Sequence, residues 1–86
     1  MTINTNNYTY SFIFDEFGTS DAVLYVTKMP IDGNVATDST WVRRGFYNGA
    51  EFVLEHRNSN DFDIYADIDD CIKDYERILE SGFELA

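Results

Sequence analysis

An amphipathic stripe near the C-terminus constrains the fold of this chain more than any other feature of its sequence. Apolar side chains recur there at intervals of three and four residues, at Ile68, Cys71, Ile72, Tyr75, Ile78 and Leu79. This spacing predicts an α-helix with one buried face, which begins after the N-cap residue Asp67 and ends at Gly82. A helix with one apolar face must cover a second apolar layer, so the rest of the chain has to supply one.

The earlier sequence has the two-residue period of β-strands. Residues 22–29 are rich in β-branched and aromatic side chains, and residues 8–15 place four aromatic side chains on one face, those of Tyr8, Tyr10, Phe12 and Phe14. Residues 17–21 between these strands predict a turn, and residues 31–40 predict a loop. Weak alternation in residues 61–66 predicts a short edge strand.

Asn48 and Gly49 lie between two strand-like runs, residues 41–47 and 50–57, and predict a β-hairpin. Its register decides which side chains face the core, because a shift of one residue moves every side chain to the other face. Two registers are compatible with the sequence.

The two registers differ in where Arg43 lies. A two-residue turn would pair Tyr47 with Ala50 and place five side chains on the inner face, those of Trp41, Arg43, Tyr47, Phe52 and Leu54. One extra bulge residue would instead pair Tyr47 with Glu51, and Arg43 would face solvent beside the hairpin glutamates. We favour the second register because it avoids burying Arg43, although it places Arg44 on the inner side near the sheet margin.

Together these segments predict a single α+β domain over residues 1–86, with an antiparallel four- to five-stranded sheet packed on one face by a single C-terminal helix. A chain of 86 residues buries only about 60–65% of its unfolded surface, so a large enclosed active-site cavity is not expected. The second sheet face has no predicted cover and offers a contact surface, including one for a homodimer. The candidates for this open face are Ile13, Tyr25, Trp41 and Tyr47.

The charge is strongly acidic, with 16 Asp and Glu against 6 Lys and Arg and a net charge of −10. This balance disfavours direct binding to nucleic acid or anionic membranes and favours a basic protein partner. Residues 61–86 hold nine acidic residues against Lys73 and Arg77, which is −7 of the total. Acidic neighbours on a helix repel each other, a cost that helical stability does not require.

We therefore predict a partner-binding surface made of the acidic side chains on and around the helix. Its members are Asp61, Asp63, Asp67, Asp69, Asp70, Asp74, Glu76, Glu80, Glu51 and Glu55. The members on the helix supply roughly one carboxylate per 3.5 Å of helix axis, close to one nucleic-acid strand at about 3.4 Å and sparser than a duplex at about 1.7 Å. A duplex mimic would need the remaining members on the same side, or a dimer. The alternative is that the acidic helix face only keeps the protein soluble.

Trp41, Arg43 and Tyr47 form a predicted secondary contact patch, because exposed Trp and Arg are common hot-spot residues in protein interfaces. The alternative is that Arg43 only pairs with Glu51 or Glu55 across the hairpin.

Patterns for catalysis, metal binding and cofactor binding are lacking in the sequence. The acidic cluster has no calcium-loop glycine and distal glutamate, and His56 has no triad partner in a recognisable motif. Cys71 lies on the apolar stripe, where a small core residue is expected. We therefore expect no enzymatic activity, no metal and no cofactor. A cytoplasmic location is expected, since the N-terminus has no secretory-signal pattern.

In composition the chain is similar to small acidic phage and mobile-element proteins that antagonise host nucleases, including anti-CRISPR proteins and DNA mimics. The charge and this similarity predict an inhibitor that presents carboxylates to the basic groove of a nucleic-acid-handling enzyme or complex in the host cytoplasm. Two alternatives stay open: an immunity or antitoxin protein that neutralises a basic toxin, and a structural or oligomeric accessory protein that uses its open sheet face.

Overall fold

The computed structural model describes residues 1–15 and 22–86, so the turn predicted at residues 17–21 lies outside the described part. The fold is the expected α+β architecture, an antiparallel sheet with a C-terminal helix. The described strands are β1 (Thr2–Asn4), β2 (Tyr8–Phe14), β3 (Leu24–Pro30), β4 (Thr40–Tyr47), β5 (Phe52–His56) and β6 (Phe62–Tyr65), and the helices are α1 (Val35–Asp38) and α2 (Ile68–Glu80). The sheet thus has six described strands rather than four or five, and their spatial order follows the chain.

Two short elements were not predicted. Ile3 of β1 packs against the core and pairs with Tyr10 of β2, which extends the sheet by one edge strand. The predicted loop at residues 31–40 contains α1, whose N-cap Asn34 accepts a hydrogen bond through its side chain from the Ala36 amide at 2.9 Å. A three-residue strand and a one-turn helix are both too short to leave a periodic signal in the sequence.

Helix α2 has the boundaries that its capping residues predict. The Asp67 side chain accepts a hydrogen bond from the Asp70 amide at 2.9 Å, and Gly82 adopts a positive φ of 91° after the last turn, as a C-terminal stop requires. Cys71, Tyr75 and Leu79 are its buried residues. Their spacing of four residues keeps them on the side that faces the sheet.

The core lies between α2 and one face of the sheet, which we call the covered face. The buried apolar residues of this core are Tyr10, Phe12, Leu24, Val26, Val42, Phe52, Leu54, Cys71, Tyr75, Leu79 and Leu85. The segment after α2 closes the same layer, since the Leu85 amide donates to the Tyr10 hydroxyl at 2.9 Å and Lys28 Nζ donates to the Leu85 carbonyl at 2.8 Å. The four alternating aromatics of β2 share this side, but Phe14 at the strand end is 48% exposed.

Both predicted registers of the β4–β5 hairpin are wrong, including the favoured one. Tyr47 pairs with Phe52, so four residues form the connection. The Asn48 side-chain oxygen accepts hydrogen bonds from the amides of Ala50 and Glu51 at 3.1 and 2.8 Å. Gly49 follows with a φ of 99°, a conformation that favours glycine. The side chain of Asn48 therefore stabilises a longer loop than a two-residue or bulged turn.

This register turns Arg43 toward the covered face and Arg44 toward the opposite face, the reverse of the favoured prediction. Gly45 then lies under the ring of Phe52, which leaves no room for a side chain. A shift in the β3–β4 register between Val26 and Thr27 allows both Val42 and Arg43 to be buried in succession.

Candidate functional site

The solvent side of α2 carries the acidic surface, which we define as Asp69, Asp70, Glu76 and Glu80. Three of these residues are exposed and Glu76 is half-buried. Within residues 1–15 and 22–86, none of the four takes part in an ion pair. These carboxylates are therefore available to a basic partner.

Two other predicted helix residues serve the protein's own structure. Asp67 caps α2, as described above. Asp74 accepts a hydrogen bond from the Tyr65 hydroxyl at 2.7 Å and pairs with Arg77. These two partners, the tyrosine first, hold the pKa of Asp74 below its usual range. The carboxylate oxygens of Asp67 and Asp74 are therefore already directed toward groups of this chain.

Asp63 belongs to a partly buried network on the covered face. Its Oδ2 accepts a hydrogen bond from the Tyr75 hydroxyl at 2.6 Å and lies 2.9 Å from His56 Nε2. Arg43 Nε donates to the same tyrosine oxygen at 3.0 Å. Burial, followed by the hydrogen bond to Asp63, raises the pKa of Tyr75 well above its ordinary value, so this hydroxyl keeps its proton and acts as a donor. The network joins α2 to β4, β5 and β6.

The remaining predicted residues lie elsewhere. Glu55 is on the sheet face away from α2, where it pairs with Arg44 at 2.8 Å. Glu51 is exposed in the hairpin loop. Asp61 is exposed in the β5–β6 connection and accepts a hydrogen bond from the Ser59 hydroxyl at 3.2 Å. The ten predicted acidic residues therefore do not form one continuous surface.

Because the predicted acidic residues are separated, fewer carboxylates on α2 are available to imitate the phosphates of a nucleic acid. Helix α2 has 13 residues and is about 20 Å long, so the acidic surface supplies roughly one uncommitted carboxylate per 5 Å of axis. That spacing is sparser than the phosphates of one strand, at about 3.4 Å, and much sparser than a duplex. This spacing of carboxylates fits a patch of basic side chains on a partner protein better than a groove that binds the closely spaced phosphates of a duplex.

The three residues of the predicted secondary patch are separated by the observed register. Trp41 lies on the face away from α2, whereas Arg43 is buried on the covered face with 6% exposure. The Tyr47 hydroxyl accepts a hydrogen bond from the Ile68 amide at 3.3 Å, at the start of α2. Trp41 instead has two other arginines beside its ring, with the guanidinium carbons of Arg44 and Arg57 at 5.0 and 5.2 Å from the ring centroid.

The second face of the sheet carries an apolar surface, which we call the open face. The strand pairings place on it Ile13, Tyr25, Trp41, Arg44, Phe46, Val53, Glu55, Phe62 and Ile64, together with the mainly polar Thr2, Asn4, Thr9, Ser11, Thr27 and Met29. Ile13, Phe62 and Ile64 are 49%, 57% and 50% exposed. A groove of about 300 Å³ beside Trp41 and Arg57 opens onto this face. Ile13, Tyr25 and Trp41 were expected here, and Tyr47 was not confirmed.

Sequence reasoning missed the outward side of β6. Phe62 and Ile64 alternate with Asp63 and Tyr65, and the two polar tips turn toward α2. The sequence does contain a signal for the inward direction of Asp63. A tyrosine on the buried face of a helix needs a hydrogen-bond partner for its hydroxyl, and an acidic residue on a neighbouring strand can supply one.

The groups considered for catalysis are held within the covered layer. Burial raises the pKa of the Cys71 thiol to about 12, which keeps it protonated and unreactive near neutral pH. His56 is engaged with Asp63. In the described part of the chain, no three His, Cys, Asp or Glu side chains are arranged to hold a metal ion.

Comparisons of the chain with protein-family models, with curated proteins and with solved structures found no match. No helix among the described residues is both long enough and apolar enough to cross a membrane.

Proposed function

We propose that the protein binds a basic protein partner through the acidic surface of α2, and that it inhibits a nucleic-acid-handling enzyme or complex by occupying its basic groove. The nuclease or defence complex of a host cell is the kind of target that the composition favours. The observation that carries this proposal is the set of four carboxylates on the solvent side of α2 without an ion-pair partner in the described chain.

The placement of the helix supports this role. Three buried residues anchor α2 to the sheet, and the Arg43–Tyr75–Asp63 network fixes its middle. The acidic side chains thus project from a rigid element, which lowers the entropy lost when a partner orders them. Steering by the net charge of −10 would speed the encounter with a basic groove.

Capture from a cell extract on immobilised protein tests the proposal. The decisive variant combines Asp69→Asn, Asp70→Asn, Glu76→Gln and Glu80→Gln, which removes the charge of the acidic surface and leaves Asp67 and Asp74 in place. A matched control combines Asp32→Lys, Val35→Lys and Thr37→Lys at exposed positions in and before α1. It changes the net charge by the same amount at a different site.

The proposal predicts that the wild type and the α1 control retain the same nucleic-acid-binding enzyme, that a DNA or RNA oligonucleotide and high salt displace it, and that the acidic-surface variant loses it. Addition of the wild type should inhibit the nuclease or binding activity of the captured enzyme. An unchanged set of captured proteins with the acidic-surface variant would rule out the carboxylate mechanism. Capture of a basic toxin that no oligonucleotide displaces would instead favour the immunity-protein alternative.

A further inference from the structure

The open face has the properties of an interface rather than of an ordinary solvent-exposed sheet. An antiparallel sheet with one solvated face normally alternates apolar and polar residues. Here the polar outward pair Ser11 with Thr27 lies toward one end of the sheet, whereas Ile13 with Tyr25 and Val53 with Ile64 form apolar outward pairs toward the other end. Contiguous exposed apolar surface of this kind marks a site of association.

We propose that a second copy of this chain packs on the open face, so that two sheets lie face to face in a symmetric dimer. The inference does not rest on the proposed function, because it concerns the opposite side of the molecule from the acidic surface.

The charges on the open face are self-complementary. Among the described residues, the charged ones of the open face and of the groove that opens onto it are Arg44, Arg57, Glu55 and Asp61, two of each sign, and Arg44 and Glu55 lie 2.8 Å from each other. In a two-fold interface each contact occurs twice with the partners exchanged. One Arg and one Glu per copy can therefore pair across the axis as well as within the chain. A strongly basic or strongly acidic partner would find no matching excess of charge on this face.

The net charge of −10 per chain does not prevent this arrangement. Two packed sheets lie about 10 Å apart, and with a helix layer about 10 Å thick on each outer side the two α2 axes would be separated by about 30 Å. This distance is several times the Debye length of about 8 Å at physiological ionic strength. Face-to-face packing is thus the arrangement that keeps the acidic surfaces apart.

The available area is sufficient. Six strands spaced by about 4.8 Å, with outward runs about 20 Å long, give a face of roughly 500 Å². Two copies would bury roughly 1,000 Å² in total, which reaches the lower size limit of specific interfaces. The dimer would present its two acidic surfaces in opposite directions. It would therefore bind two partner molecules rather than join the carboxylates into one longer array.

Sedimentation analysis of the full chain over a micromolar concentration range at physiological salt tests this inference. The wild type should sediment at twice the chain mass of 9.9 kDa. Phe62→Lys places a charge on the open face at a position that is 57% exposed, and should leave the chain monomeric over the whole concentration range. Phe83→Lys is the matched control, because Phe83 is 62% exposed but lies after α2, and it should remain dimeric.

Circular dichroism of both variants establishes that they fold, which their exposed positions favour. A monomeric wild type across the whole range would overturn the inference. So would loss of the dimer in Phe83→Lys with retention in Phe62→Lys, because that result would place the contact on the helix layer.

Discussion

Two neighbouring arginines have opposite environments on the two faces of the sheet. Arg43 points to the covered face, is 6% exposed, and donates to the Tyr75 hydroxyl and to the backbone oxygens of Val42 and Ala86. Arg44 points to the open face with its side chain 43% exposed and pairs with Glu55. Successive side chains of a strand point to opposite faces of the sheet. For this reason Arg43 stabilises the core, whereas its neighbour Arg44 stays accessible to a partner.

The acidic residues also fall into two groups, those that hydrogen-bond within the protein and those that face solvent. Asp63 and Asp74 accept hydrogen bonds from the hydroxyls of Tyr75 and Tyr65, and so contribute to the packing of α2 on the sheet. The carboxylates of the acidic surface lie on the solvent side of α2, and among the described residues none of them forms an ion pair. Composition alone therefore overstates the charge that a partner can use, because part of it is committed inside the molecule.

Arg43→Ala is expected to have the largest effect on stability. It removes a buried guanidinium and leaves the Tyr75 oxygen and two backbone oxygens without this donor, which should lower the free energy of unfolding by about 3 kcal/mol. Arg44→Ala should lower it by less than about 1 kcal/mol, because an exposed ion pair contributes little. Urea unfolding of both variants in the Phe62→Lys background, which removes dimerisation, measures the difference. Equal losses would mean that the two faces do not differ as described.

Gly45→Ala tests how tightly the covered face is packed. An added Cβ would lie 2.4 Å from Cζ and 2.7 Å from Cε2 of the Phe52 ring, and this ring is fully buried. The resulting overpacking should cost about 2 kcal/mol in urea unfolding. In a Phe52→Leu background the same change should cost much less, since the smaller side chain removes the clash. An additive double variant would contradict the steric explanation.

Charge-reversal variants on the open face test whether Arg44 and Glu55 face a second copy of the chain. Arg44→Glu and Glu55→Arg each place two like charges on the face, so each variant alone should dimerise about tenfold more weakly, a loss of about 1.4 kcal/mol. An equimolar mixture of the two variants should recover the dimer, because opposite charges then meet across the interface. Sedimentation of the mixture measures this. Variants that dimerise as well alone as when mixed would show that Arg44 and Glu55 do not face a second copy.

The smallest expected effect is the pH dependence contributed by Asp74. Its pKa is lowered by the Tyr65 hydroxyl first and by Arg77 second, so the contribution is present above the ordinary carboxyl pKa and is lost as the pH falls through the lowered value. Tyr65→Phe removes the main cause. The wild type should exceed this variant by up to about 1 kcal/mol near neutral pH, and the difference should shrink as the pH falls below the ordinary carboxyl range. A difference that grows on acidification would contradict the assigned donor.

The sequence predicted the elements with clear local signals. The stripe and caps of α2 and the alternating aromatics of β2 depend on spacing within one segment, and both were confirmed. The weak alternation of residues 61–66 also predicted β6 correctly. Short elements such as β1 are stabilised mainly by contacts with distant residues, here Ile3 with the core, and such contacts leave no local pattern.

The hairpin register could not be derived because it depends on the conformation of one side chain. Asn48 is compatible with several turns, and only its hydrogen bonds to the Ala50 and Glu51 amides select the four-residue loop. That choice reverses the faces of Arg43 and Arg44 and separates Trp41 from Arg43. The candidate surfaces therefore changed membership although the fold class was correct.

Fluorescence of Trp41 on dilution tests the division between the two faces most directly, because Trp41 is the single tryptophan of the chain and lies on the open face. We predict that its emission shifts to longer wavelength as the protein is diluted and the dimer dissociates, while Phe62→Lys has the long-wavelength emission at every concentration and Phe83→Lys follows the wild type. Emission of the wild type that does not change with concentration and matches that of Phe62→Lys would contradict the account, since the open face would then be exposed to solvent throughout.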